Sequence, residues 1–207
     1  MSALTSETHT LRCPRQRLRD AEAYFMKQDA THSTLERLAA RLDEEGIPYA
    51  LVEGMALGLH GYERMTRDVD ILLTPGGLAA FAERCAGRGY VPKLPGARRA
   101  WLDAQTRVPV EILCTGEFPG DGKPKPVAFP DPTEAGTVLD GIRVIALEKL
   151  IELKLASGLT APHRLRDLAD VQDLIGVLGL SREFAASLDV SVRGEYERLW
   201  NSALGAP

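Results

Sequence analysis

The stretch Val52-Glu53-Gly54-Met55-Ala56, continued by Leu59-His60-Gly61-Tyr62-Glu63-Arg64-Met65-Thr66-Arg67-Asp68-Val69-Asp70-Ile71-Leu72-Leu73, decides how the chain is read. Residues 49–52, after Pro48, form a short apolar run that predicts a strand. Glu53-Gly54 then turns the chain into a short helix from Met55 to about His60, and 68–73 predicts the next strand. Side chains at i and i+2 of a strand share a face, so Asp68 and Asp70 aim together while Val69 packs behind them. Acids so placed in an apolar strand are costly without a partner. Capping of the strand end, or pairing with Arg64 and Arg67, would answer that need locally. Magnesium answers it better: the ion takes one or two protein carboxylates and fills its other positions with water and substrate phosphates. A second apolar run, 108–113, carries a third acid, Glu111, which would otherwise be a solvated position on an edge strand.

Outward from this centre, Ser33-Thr34-Leu35-Glu36 resembles a capping box opening a helix through Leu35, Leu38, Ala39 and Leu42, with Gly46 placed to end it. Thr74-Pro75 starts another helix through Leu78, Phe81 and Cys85. Residues 89–113 predict two or three antiparallel strands, and Pro109 makes the last an edge strand or stands at its beginning. Residues 116–141, rich in Gly, Pro and Asp, predict a long loop of the kind used as a lid or flexible segment. The final third predicts a helix ending at Gly158, a second through Leu165, Leu168, Ala169, Val171, Leu174 and Ile175, and two short helices after Ser181 and Ser191. Asp167, Asp170 and Asp173 share one helical side, and the last two read as a solvated stripe. The implied organisation is an N-terminal extension over 1–30, an α/β (α+β) core with a small mixed sheet flanked by helices over 31–145, and a helical portion over 146–207 that completes the cleft.

Composition narrows the function classes. At 207 residues, 44% hydrophobic and 26% charged, the chain can bury a proper core and is neither disordered nor membrane-spanning in character. Without an apolar run near the roughly 18 residues needed to span a bilayer, or a signal-like start, the expected location is the cytoplasm. Cys13, Cys85 and Cys114 are odd in number and outside CxxC spacing, which argues against a disulfide framework or a zinc site. A net charge of -4 argues against a broad non-specific nucleic-acid surface, and the arginine clusters at 12–19, 98–99 and 164–166 read as solvated faces. His60 and His163 read as structural or surface residues.

The central motif resembles the signature of the nucleotidyltransferase (polymerase-beta-like) superfamily: an apolar residue, Gly, then Gly or Ser, a spacer, and an Asp-x-Asp pair in an apolar strand. Within it, the chain is most similar to the bacterial group that includes abortive-infection toxin components, with a Gly-x-x-Arg-x-Thr-x-Asp-x-Asp stretch that Gly61, Arg64, Thr66, Asp68 and Asp70 match. The third acid would be Glu111, and the stretches around Lys154 and Asp167 resemble the family's helical Lys and Asp motifs. The resemblance covers about residues 47–176. It implies that Asp68, Asp70 and Glu111 hold up to two magnesium ions, that Gly54, Arg64, Thr66, Lys154 and Asp167 serve the nucleotide or acceptor, and that a nucleoside triphosphate such as ATP donates to a hydroxyl on a small molecule, a tRNA end or a protein. Phosphate-ester hydrolysis is a lesser outcome of the same metal site.

One position departs from the pattern. Glu53 stands where the first glycine of the pair belongs, adding negative charge beside the phosphate site implied at the following helix start. Either Glu53 points away or nucleotide binding is weakened. In the second case the chain is a catalytically weak or inactive member acting as a binding, regulatory or toxin-antitoxin partner module, which contacts a protein through its N-terminal segment and helical end.

Overall fold

The computed structural model describes residues 30–204, so the expected extension over 1–30, with Cys13 and the first arginine cluster, lies outside the described residues but for Ala30. Seven strands form one mixed sheet in the order β3-β4-β5-β2-β1-β7-β6. They are β1 (Tyr49–Val52), β2 (Val69–Leu73), β3 (Tyr90–Pro92), β4 (Ala100–Asp103), β5 (Pro109–Cys114), β6 (Gly136–Leu139) and β7 (Ile142–Ile145). The helices are α1 (30–44), α2 (Glu53–Leu59), α3 (Pro75–Arg84), α4 (Pro132–Ala135), α5 (Leu147–Thr160), α6 (Leu165–Leu178) and α7 (Val190–Leu204).

The centre of the sheet is β1 and β2, antiparallel with Val52 opposite Asp70. All of β1 is buried, as are four of the five β2 residues; only Asp70 is partly open. Strands β5 and β7 pair parallel on either side of this hairpin, to β2 and β1 respectively. Strand β5 alternates strictly, burying Val110, Ile112 and Cys114 while Pro109, Glu111 and Leu113 face a half-open side. Phe81 of α3 closes the other end of the sheet, with its ring centroid 5.4 Å from that of Tyr90 and 5.3 Å from that of Trp101.

Several expectations are corrected by this architecture. Ser33-Thr34-Leu35-Glu36 lies within α1, which already runs through residue 30; Thr34 Oγ1 shares a 2.7 Å hydrogen bond with Thr106 instead of capping. Gly46 does end that helix, in a left-handed conformation with Ile47 N donating back to Leu42 O. Asp68 precedes β2 by one residue rather than opening it. Of the two readings of Pro109 the second holds: the proline stands at the beginning of β5, and the strand is interior instead of at an edge. Residues 116–141 are not all loop: α4, β6 and the start of a hairpin turned at Asp140-Gly141 occupy the second half. The first half is tied down, with Lys125 Nζ donating to Pro119 O and, at 2.9 Å, to Thr160 Oγ1 on α5. Helix α5 runs past Gly158, whose place is set by packing, since a Cβ there would lie 2.5 Å from Leu168 Cγ. After α6, a 3₁₀ turn over Arg182–Ser187 leads into α7, a full helix rather than a short one. Among the described residues no helix is long and apolar enough to cross a membrane.

Asp103 joins α1 to the β4–β5 turn. Its carboxylate accepts from Arg37 Nη2 at 2.8 Å, Gln105 N at 2.8 Å and Thr106 N at 2.9 Å. Burial alone would raise this carboxyl, but Arg37 and the two amides outweigh it and hold it below the usual range. Asp103→Ala is therefore expected to lower the unfolding free energy by about 2 kcal/mol in urea titrations near neutral pH. Because the folded value is the lower one, this contribution is complete above the unfolded value of about 3.9 and is lost as pH falls through the folded value. The difference between wild type and variant should thus be constant from roughly pH 5 to 8 and shrink in acid.

Candidate active site

The half-open side of β2 and β5 floors a cavity of about 550 Å³. Asp70 and Glu111 are register partners on these parallel strands, so their side chains leave the sheet on one face, and Asp68 enters just before β2. Thr66 Oγ1 donates to Asp68 Oδ1 at 2.8 Å, orienting that carboxylate, while Glu111 Oε1 receives Lys93 Nζ at 3.3 Å. Burial, followed by the charges of Asp68, Glu53 and Glu111, pushes the Asp70 carboxyl well above the usual range against the opposing pull of Lys154. The structure therefore gathers the three acids on one cavity floor. Among the described residues, however, no three His, Cys, Asp or Glu side chains converge closely enough to hold a metal ion.

The other cavity walls come from elsewhere in the chain. Arg64 and Thr66 descend from the segment before β2, Phe118, Pro119 and Phe129 from the tied-down half of the long connection, and His163, Arg164, Arg166 and Asp167 from the α5–α6 junction. His163 and the arginines at 164 and 166, read from sequence as surface residues, are thus part of the cavity. Their signal was a basic cluster immediately before the Asp167 motif.

Gly54 and Lys154 do not line the cavity. Gly54 is buried in the first turn of α2, where a Cβ would lie 2.8 Å from Thr66 Oγ1 and 3.3 Å from Arg64 Nη2. Its lack of a side chain lets the 64–66 segment close over the helix. Lys154 is 1% exposed and its ammonium is spent on carboxylates: Glu53 Oε2 at 2.8 Å, Asp170 Oδ2 at 2.9 Å and Asp167 Oδ1 at 3.1 Å. Burial would depress this ammonium, but the three acids outweigh it and hold it above the usual lysine range. Asp167 is lowered for the reciprocal reason, with Ser157 Oγ donating to it at 2.6 Å and Arg164 Nε at 2.7 Å. Asp170, read as solvated, is 2% exposed; its Oδ1 lies 3.5 Å from Arg64 Nε, an ion pair without hydrogen-bond alignment. Asp173 remains outside and accepts from Tyr62 at 2.6 Å, which raises that phenol to about 12.

Glu53 is the turning point of this network. Its φ of 55° is left-handed, a conformation that glycine adopts without cost and a glutamate rarely does. The carboxylate reaches Lys154 through Oε2 and Arg164 Nη2 through Oε1 at 3.2 Å, so its negative charge is neutralised on the C-terminal helices while the residue still borders the cavity.

The mixed seven-stranded sheet flanked by helices matches nucleotidyltransferase-like folds. Comparison with solved structures agrees. The solution structure of the antibiotic-resistance factor ANT(2″)-Ia superposes with a TM-score of 0.52 over 84% of this chain and 97% of that one, at 17% identity. The crystal structure of ANT(2″)-Ia in complex with adenylyl-2″-tobramycin gives 0.50 over 82% and 96%, at 12% identity. No protein-family model and no curated protein sequence matches the chain. At these identities what is shared is the fold.

Among the described residues, replacing Lys154 with Met would leave the distant Arg64 as the one counter-charge to Asp170, and Arg164 as the one counter-charge to Glu53 and Asp167. We expect a loss of about 3–5 kcal/mol of stability, read as a large fall in the urea midpoint, because one charge is removed from a buried, neutralised set. A variant within about 0.5 kcal/mol of wild type would show that solvent reaches these acids freely.

Proposed function

We propose that the chain transfers a nucleoside monophosphate from a nucleoside triphosphate to a hydroxyl acceptor, with magnesium held by one or two at a time of the carboxylates Asp68, Asp70 and Glu111 and completed by substrate phosphates and water. The observation that carries this reading is the register pairing of Asp70 with Glu111, one residue past Asp68's neighbour Val69, on the floor of a cavity that also presents Arg64, Arg164 and Arg166. The donor set fits a hard divalent cation in kind, since every candidate ligand is a carboxylate oxygen and Asp70 sits in an excess of negative charge. Bound there, magnesium would supply neutralisation of triphosphate charge and a lowered pKa for the attacking hydroxyl.

The protein's own groups have distinct tasks. Guanidinium groups of Arg164 and Arg166 offer planar donors to phosphate oxygens, and Thr66 keeps Asp68 aimed at the cavity. Phe118, Pro119 and Phe129 give the cavity an apolar side that excludes water and against which the sugar, base or acceptor packs. Held in line, the acceptor hydroxyl gives its proton to a cavity carboxylate or to water as its oxygen bonds to the α-phosphorus, the bond to the bridging oxygen breaks, and pyrophosphate carries away the electron pair. ANT(2″)-Ia is seen with adenylyl-2″-tobramycin, and the sheet side of this cavity, with Asp68, Asp70 and Glu111, carries an excess of negative charge that suits a cationic partner. A hydroxyl on a cationic small molecule is therefore the first acceptor to try, ahead of a tRNA end or a protein hydroxyl.

A second reading has its own support. The carboxylate of Glu53 engages Arg164, and Glu111 is drawn to Lys93, which favours a module that keeps the fold but binds a protein, as in a toxin-antitoxin or abortive-infection system. Calorimetric titration of each of the four nucleoside triphosphates with magnesium separates the two. The transferase reading expects one nucleotide to bind wild type and at least roughly tenfold weaker binding to an Asp68→Asn/Asp70→Asn variant. Folded wild type that binds none, or binds equally with and without the two aspartates, overturns it in favour of the module.

A further inference from the structure

The Glu53–Arg164 contact lies where the cavity meets the helical portion, and its charge balance is unusual. Three cations, Arg64, Lys154 and Arg164, face three carboxylates, Glu53, Asp167 and Asp170. Asp167 and Asp170 belong to α6 and are buried in the network. Glu53 comes from the β1–α2 junction, borders the cavity as Asp167 also does, and is the most open of the three acids to solvent, with 22% of its side chain exposed against 7% for Asp167. It holds a left-handed backbone that an L-residue adopts at a cost, and two cations on its carboxylate hold it there. If that carboxylate leaves, Lys154 still has two acids and Arg164 still has Asp167, so no buried charge is stranded; the site as a whole is one positive charge in excess. That excess sits on Arg164, whose side chain is 40% exposed and lines the cavity.

We infer that the Arg164 side of the cavity is an anion subsite whose resident anion is the chain's own Glu53 carboxylate, and that a phosphate group of an incoming ligand binds there by displacing it. Glu53 is then a specificity-determining residue. It sets a threshold that a lone phosphate or carboxylate does not pass, while a polyphosphate, gripping at several points, does. Arg164 retains Asp167 as a fixed hinge through Nε and presents Nη2 to whichever oxyanion occupies the subsite. The inference rests on the transferase reading only in taking phosphate as the anion, because the cavity and its cations are the same.

The test is run without divalent metal, so that Asp68, Asp70 and Glu111 have no part in favouring the ligand. Inorganic triphosphate in EDTA is titrated calorimetrically into wild type, Glu53→Gln and Glu53→Gln/Arg164→Ala. Glu53→Gln should bind at least roughly tenfold more tightly than wild type, and the added Arg164→Ala should abolish the gain. Glu53→Gly is the second variant: glycine suits the left-handed backbone, so it should fold and show the same gain. Equal affinity of wild type and both single variants, a gain that survives loss of Arg164, or failure of both single variants to fold would each overturn the proposal, the last by making Glu53 structural. A gain seen here stands even where magnesium-dependent nucleotide binding proves indifferent to Asp68 and Asp70, and its absence leaves that separate result untouched.

Discussion

The buried ammonium of Lys154 is the point on which the molecule closes. One cation inside α5 gathers an acid from the first strand-to-helix turn, 101 residues earlier, and two acids from α6. A lone ammonium at 1% exposure would be costly, as would any of the acids; with Arg64 and Arg164 added, three cations match three carboxylates and the set can be buried. Geometry follows from this charge requirement. Helix α6 must present its acid-bearing side to α5, Gly158 must lack a side chain so that Leu168 can approach, and the α5–α6 junction, with Arg164, must lie beside the sheet acids.

The same arrangement separates two electrostatic regimes across one cavity. On the sheet side, burial and the charges of Asp68, Glu53 and Glu111 outweigh the pull of Lys154 on Asp70, which is a setting for cations. On the helix side, acids and bases are matched one for one, with Glu53 the most exposed of the acids and Arg164 the most exposed of the bases. Under the proposed transfer reaction, a metal-bound polyphosphate would bring both signs in one ligand to such a divided cavity. Rigid framing supports this, because the connection over 116–131 is pinned to α5 through Lys125 and through Gly120, where a Cβ would come within 2.5 Å of Thr160 Oγ1.

Local chemistry made much of this legible. Strand β1, the Thr74 cap of α3, the Gly46 stop and the order of the acids could all be read because each depends on neighbours a few residues away. The β6–β7 hairpin was also announced, by Asp140-Gly141 between apolar runs, but the surrounding Gly- and Pro-rich composition masked it. Helix α6 shows where periodicity misleads. Leu165 and Ala169 read as core yet are exposed, while Asp167, Asp170, Val171, Leu174 and Ile175 form the stripe that is buried. An acid counts as a solvent-facing residue only until a cation is found opposite it.

By itself, then, the sequence determined the α/β alternation around an Asp-x-Asp strand, the third acid on a later strand and the helical character of the last third. These rest on repeat periods and turn chemistry that act within a few residues. Tertiary structure alone decided that β5 lies inside the sheet beside β2, that Lys154 is buried among three acids, that Arg164 and Arg166 border the acids' cavity, and that the Glu53 carboxylate is paired with two cations. The reason is that strand order and buried charge pairing are settled between residues far apart in the chain, where no local pattern records which opposite charge will be the neighbour.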